Sequence, residues 1–424
     1  MVELVRADGV GAVRGKMAAA GALAEAGGRL REVTDFGANP GGLRMLLYVP
    51  PAGAGPGAPL VVVLHGCLQS AADYDHGAGW SALGAQAGFA VLAPEQRSAN
   101  NRNGCFNWFK PADATREKGE AASIRQMIAY ALAEHALDPV RIFITGLSAG
   151  GAMASAMLAA YPEIFAGGAI VAGLPYGAAR NVPEALASMR QAPSRPRRIW
   201  GDLVRGASAH NGPWPKISVW HGDADEVVDA RNADAIVEQW IDLHGLDHFL
   251  PAQEEVNGHA RRLWRDGTGR PLLESYRIAG MAHGTPVHAA GGDAPAPFVC
   301  EAGISSSQRI AEFWGLSGTA AKAAPAASKL RLLRAARKKS AVVARAVKVV
   351  EAVAPIELAA VIEAVPVEIA LLPQVEAEPV PDMPLTAERA TMPESHVPTT
   401  PPETGFKHWI AKALRAIGIL KNPP

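Results

Sequence analysis

Seven short apolar runs recur along this chain, and their alternation with helix-period segments leaves few folds open. The runs are Leu43–Val49, Leu60–Leu64, Ala90–Ala93, Arg141–Thr145, Gly168–Ala172, Ile217–Trp220 and Leu273–Ile278. Between or after them, Ala121–His135, Ala152–Ala160, Asn232–His244 and Gln308–Phe313 carry apolar residues at helical spacing. Strands apolar at nearly every position are strands buried on both faces. Their alternation with amphipathic helices predicts an α/β fold: a mostly parallel central sheet flanked by helices. The last helix ends at Phe313-Trp314-Gly315, where glycine supplies a C-cap. One domain over residues 41–316 is expected, about 270 residues and acceptable for a single large α/β unit.

The remaining residues read differently. Residues 1–40 form an Ala/Gly-rich N-terminal extension in which Met17–Ala24 is expected to make a short frayed helix. That stretch is too alanine-rich and too close to Glu25 for an export signal, so a cytoplasmic location is expected, with secretion as the alternative. Residues 317–404 hold no aromatic residue and many prolines, which predicts a flexible linker in which Lys329–Val350 is the one candidate helix. In residues 405–424, Phe406, Trp409, Ile410, Ala413, Leu414 and Ile417 fall on one face of an amphipathic helix. Such a helix is a candidate for docking on a membrane or a polyester granule.

Charge separates the same parts. The whole chain has 41 basic and 41 acidic residues. Lys322–Lys348 holds nine basic residues and no acidic one, whereas Glu351–Glu403 holds ten acidic residues and one basic one. With four more basic residues after Gly405, residues 322–424 carry +4 and residues 1–321 carry −4. A mildly acidic domain lacks the accumulated positive charge on which nucleic-acid affinity rests, so no nucleic-acid partner is expected. No run approaches the roughly 18 apolar residues that would span a bilayer. The three cysteines show no C-x-x-C spacing and the histidines no H-E-x-x-H pattern, so neither a metal nor a cofactor is expected.

The chemistry centres on Gly146-Leu147-Ser148-Ala149-Gly150, a G-x-S-x-G pattern between an apolar run and a helical segment. Small flanking residues let the chain turn sharply there, projecting the Ser148 hydroxyl above the sheet as a candidate nucleophile. The following helix aims its N-terminal amides at the same point. A serine hydroxyl needs a base to take its proton, and in this arrangement the partners follow in the order acid, then histidine. Asp225, after the run Ile217–Trp220, is the candidate orienting acid, with Asp223 and Asp229 as competitors more simply explained by loop solvation or helix capping. His283, after the run Leu273–Ile278, is the candidate base and His288 its fallback, while His221 reads as closing its strand. An oxyanion hole needs two backbone donors. The candidates are the amides of Ala149 and of Cys67, the latter on the His65–Gln69 turn after an early strand. Trp108 and Phe109 are candidates for the acyl pocket, although aromatic residues are more often core.

With these segments placed, the sequence closely resembles the poly(3-hydroxybutyrate) depolymerase-family esterases, a group with acetylxylan and feruloyl esterase-like members. The resemblance spans Leu43–Leu316 and rests on ordered motifs: LHGCLQ (64–69), CFNWF (105–109), GEAASI (119–124), GLSAGGAM (146–153), HGDAD (221–225), GMAHGTP (280–286) and GISSSQRIAEFWGL (303–316). It implies an α/β-hydrolase fold and cofactor-free hydrolysis of carboxylic esters. By resemblance Ser148 is the nucleophile, His283 the base and Asp225 its partner, with Cys67 and Ala149 donating the oxyanion-hole amides. GMAHGTP departs from the family's GMGHAWP form, which has a tryptophan beside the histidine. Cys67 and Cys105 both sit in family motifs; a bridge between them is one alternative, and in a reducing cytosol both are expected to remain thiols. Cys300 reads as a small core residue.

Overall fold

The computed structural model describes residues 29–50, 57–288 and 297–317. The expected helices at Met17–Ala24, Lys329–Val350 and in residues 405–424, and the linker beyond Ser317, lie outside the described residues.

A ten-stranded sheet forms the centre. Its inner part comprises six parallel strands: β3 (Leu60–Leu64), β4 (Ala90–Glu95), β5 (Ile142–Leu147), β6 (Gly167–Val171), β7 (Lys216–Gly222) and β10 (Pro271–Ile278), in the order β4-β3-β5-β6-β7-β10. Antiparallel pairs close both sides: β1 (Arg31–Val33) and β2 (Arg44–Tyr48) beyond β4, β9 (His259–Arg265) and β8 (Ala252–Val256) beyond β10. The run at Leu43–Val49 is therefore antiparallel to its neighbour rather than part of the parallel set. The domain also starts earlier than residue 41, because β1 pairs with β2 and Phe36 is buried in the core.

Alternation of side chains across the pleat gives the sheet two cores. On β3, Leu60, Val62 and Leu64 enter one, and Val61 and Val63 the other. The first core lies under helices α4 (Gly119–Glu134), α5 (Ala149–Ala160) and α8 (Arg231–His244), which contribute Ile124, Met157 and Trp240. The second lies under α1 (Ala71–Ala78), α2 (Trp80–Ala87) and α9 (Ser306–Trp314), which contribute Tyr74, Trp80 and Trp314. Short helices α3 (Pro111–Ala114), α6 (Val182–Arg190) and α7 (Arg197–Arg205) complete the domain. As expected, Gly315 caps α9 in the left-handed conformation, φ 80°. No helix among the described residues is long and apolar enough to cross a membrane.

Candidate active site

The serine, the acid and the histidine all follow the carboxyl ends of parallel strands, the edge at which open α/β sheets place their chemistry. Ser148 stands between β5 and α5 with φ 57° and ψ −116°, a backbone conformation that side-chain-bearing residues rarely adopt. Its amide donates to Val171 O at 2.9 Å and its carbonyl accepts from Ala152 N at 2.9 Å, so the turn is held from both sides. The flanking glycines are required by contact. A Cβ on Gly146 would run into the carbonyl of Gly150, and one on Gly150 into the carbonyl oxygens of Leu64 and His65.

Asp225 and His283 come from loops after β7 and β10, and these two loops are tied together. Asp223 N donates to Ile278 O at 3.1 Å, Ala224 N to Met281 O at 3.2 Å, and Gly280 N to the Asp223 carboxylate at 2.6 Å. His283 Nδ1 meets Asp225 Oδ2 at 2.8 Å, with both side chains buried. Because the carboxylate only accepts, the imidazole proton sits on Nδ1, which leaves Nε2 as a lone-pair base. Asp225 Oδ1 accepts from the amides of Val227 and Val228 at 2.8 and 2.9 Å. Burial by itself would raise the Asp225 carboxyl. The charge of His283 and the hydrogen bonds from His221 and His283 outweigh it and hold the group well below the usual carboxylate range.

The competing acids are accounted for elsewhere. Asp223 serves the Gly280 amide, and Asp229 binds Arg231 and accepts from Ala192 N, tying α6 to the start of α8. His288 is exposed and lies 3.6 Å from Glu301, so the fallback base is not beside the acid. His221 does end its strand, but its ring also reaches Asp225, at 3.0 Å. Sequence position alone could not reveal this second contact.

The Cys67 turn is built with comparable care. Gly66 N donates to Gln69 Oε1 at 2.9 Å, Leu68 N to Asn103 O at 2.8 Å and Gln69 N to Gly66 O at 3.4 Å, while the Cys67 amide finds no acceptor among the described residues. Cys67 and Cys105 form a disulfide, so the expectation of free thiols is corrected. Behind the bridge, buried Glu120 accepts from Asn107 N at 2.8 Å, Asn107 Nδ2 at 2.7 Å and Gln96 Nε2 at 2.5 Å. The Gln96 amide then donates to His65 Nε2 at 3.1 Å, and His65 Nδ1 donates to Gly66 O at 2.7 Å. Burial pushes the His65 imidazole down and the Glu120 carboxyl up to about 7. Glu120 was missed as a site-supporting residue although its motif was noted, because a glutamate at a helix start looks like an ordinary dipole partner.

Trp108 and Phe109 pack edge to face, 5.5 Å between ring centroids. Trp108 is partly buried against a small apolar cluster that includes Ala152 of α5, Leu174 and Val227 of the acid loop. Where the resembled family has tryptophan after the histidine, Thr285 is buried and donates to Tyr74 Oη at 3.4 Å; the ring of Phe298 lies 6.1 Å from that of His283. Among the described residues no cluster of His, Cys, Asp or Glu has the make-up of a metal site.

A mixed sheet with a parallel centre and a strained serine turn, followed by an acid–histidine pair at its carboxyl edge, defines an α/β-hydrolase. A solved acetyl xylan esterase from Aspergillus awamori has the same fold, with a TM-score of 0.58 at 24% identity over 68% of this chain and 100% of that one. The model of the esterase PHB depolymerase family matches residues 43–262. Poly(3-hydroxyalkanoate) depolymerase C of Paucimonas lemoignei is 44% identical over 294 residues, 68% of this chain and 70% of that protein. An acetylxylan esterase of Coprinopsis cinerea is 32% identical over 266 residues, 61% of this chain and 70% of that protein. The chain belongs to the PHB depolymerase esterase family and is a carboxylic ester hydrolase.

Proposed function

We propose that Ser148, His283 and Asp225 form the catalytic triad and that the substrate is a short-chain hydroxyalkanoate ester, polymeric or oligomeric. The 2.8 Å pairing of His283 Nδ1 with Asp225, on a loop tied to that of the acid, carries the catalytic part. His283 Nε2 takes the Ser148 proton as Oγ attacks the ester carbonyl, and the tetrahedral oxyanion is held by the amides of Cys67 and Ala149. The C–O bond to the alcohol breaks, His283 returns the proton to the leaving oxygen, and an acyl-enzyme remains. Water, deprotonated by the same imidazole, attacks the acyl carbonyl; Ser148 leaves with the proton and the acid is released. Asp225 orients His283 and stabilises its imidazolium throughout.

The hydroxyalkanoate reading is supported by the P. lemoignei relative, and Trp108 with Phe109 supplies an apolar wall for the acyl chain. An acetylated polysaccharide is the second reading, supported by the C. cinerea relative. Initial rates on 3-hydroxybutyrate oligomers, acetylated xylan, methyl ferulate and p-nitrophenyl esters of graded length separate them. The proposal requires the oligomers and short acyl esters to lead; a preference for xylan would reverse it. The Cys67–Cys105 bridge supports an oxidising compartment over the cytoplasm. The last twenty residues are further proposed to dock on a polyester granule or membrane surface, which flotation of the tail peptide with either surface tests.

A further inference from the structure

Asp225 carries a second buried imidazole that the triad does not use. His221 Nε2 lies 3.0 Å from Asp225 Oδ2, the oxygen that also meets His283, and 2.9 Å from the carbonyl oxygen of Val228. Both neighbours of this nitrogen are acceptors, so Nε2 bears the proton and shares it between them. The other ring nitrogen, Nδ1, is buried and has no partner. The ring as a whole is inaccessible to solvent.

That combination is informative. A buried polar atom without a partner is destabilising, and a leucine or phenylalanine would fill the space without leaving one. A purely structural residue gives no reason to keep the orphaned Nδ1. The donor on Nε2 does give one. The carboxylate already receives two amides on Oδ1, and His221 adds a donor on the very oxygen that faces the base. The same proton holds the carbonyl of Val228, so the acid loop and the carboxylate rotamer are fixed together. An acid so held presents one oxygen to His283 at one angle.

We infer that His221 is a positioning residue of the esterase: through the Nε2 proton shared between Asp225 and Val228 O, it fixes the carboxylate against which His283 is aligned. The inference rests on Asp225 being the partner of the catalytic base. It predicts a donor requirement at one specific atom. Glutamine can place an amide N–H where Nε2 stood, whereas asparagine puts its amide near the position of Nδ1, too far back to reach Asp225. Leucine removes the donor and fills the cavity.

The test compares H221Q, H221N and H221L on p-nitrophenyl butyrate, with kcat expressed per active site titrated by a serine-reactive phosphonate and Tm recorded for each. H221Q should keep kcat within about threefold, and H221N and H221L should lose on the order of ten- to a hundredfold in kcat with KM nearly unchanged, the size of one lost charge-assisted hydrogen bond. Should H221L not fold, the Gln/Asn pair decides alone. Equal kcat in H221Q and H221N overturns the inference, as does wild-type turnover per titrated site in H221L. A D225N background separates this result from the triad itself. With the acid neutralised, H221N should add little further loss; an undiminished effect there overturns the positioning role while leaving the triad standing. If D225N alone keeps wild-type activity, the triad reading fails first.

Discussion

Cys67 and Cys105, 38 residues apart in sequence, are joined by a disulfide that ties the proposed oxyanion turn to the loop carrying Trp108 and Phe109. The bridge thus links the proposed backbone donor to the two aromatic residues proposed to line the acyl site. Replacing Cys105 with serine or reducing the protein should lower kcat, by up to the 10²–10³ that loss of an oxyanion donor produces. Closing a loop of this size should also contribute about 3–4 kcal/mol of stability on a chain-entropy basis. Turnover, Tm and a thiol count before and after dithiothreitol check both effects, the count rising from the one free thiol of Cys300 to three.

Neutralising the acid should be far more damaging than removing its neighbour. Asp225→Asn removes the charge that stabilises the imidazolium and favours the wrong tautomer, with an expected loss of about 10⁴ in kcat by comparison with serine-protease triads. Asp223→Ala, which frees only the Gly280 amide, should remain within about tenfold. Steady-state kinetics on one short ester compares the two.

Glu120 sets a pH dependence of stability. Its carboxyl is pushed up to about 7 by burial, from an ordinary value of 4.5. A folded-state value above the unfolded one means that the native protein holds the proton longer. The stability it supports is therefore complete below about pH 4.5 and is lost as pH rises towards 7. The sum is on the order of a few kcal/mol. Urea unfolding between pH 4.5 and 8 should show this downward slope in the wild type, and E120Q should flatten it.

Gly150 tests the elbow sterically. Adding a methyl group there drives a Cβ into the backbone of the β3 carboxyl end, which cannot swing aside as a side chain can. Gly150→Ala should destabilise by at least about 3 kcal/mol or distort the turn, and either outcome removes activity. Circular dichroism melts together with turnover distinguish these outcomes.

The legible parts of the fold were those in which apolar periodicity is strong. β3 and β5 are buried on both faces, so Leu60–Leu64 and Ile142–Leu147 announce themselves. The β8–β9 hairpin escaped because it is polar: Glu254, Glu255, Arg261 and Arg262 interrupt the apolar period, and β9 joins β10 through an antiparallel backbone ladder to which the Arg261–Glu274 ion pair adds. Helix α1 (Ala71–Ala78) escaped because its sequence is weakly apolar; a reciprocal Ser70–Asp73 cap starts it. In the site, Ser148, Asp225 and His283 could be ordered from sequence because each follows a strand. The double hold on Asp225 and the route from Glu120 to His65 depend on contacts between distant segments, which no local pattern encodes.

Covalent labelling reads out whether Ser148 is the nucleophile. Treating the wild type with a p-nitrophenyl phosphonate should give a single adduct by intact mass, mapping to Ser148, with loss of p-nitrophenyl butyrate hydrolysis in step with labelling. Ser148→Ala should take up no phosphonate and should retain almost none of the turnover. A Ser148→Ala protein that still labels, or that hydrolyses the ester at the wild-type rate, would mean that another residue is the nucleophile.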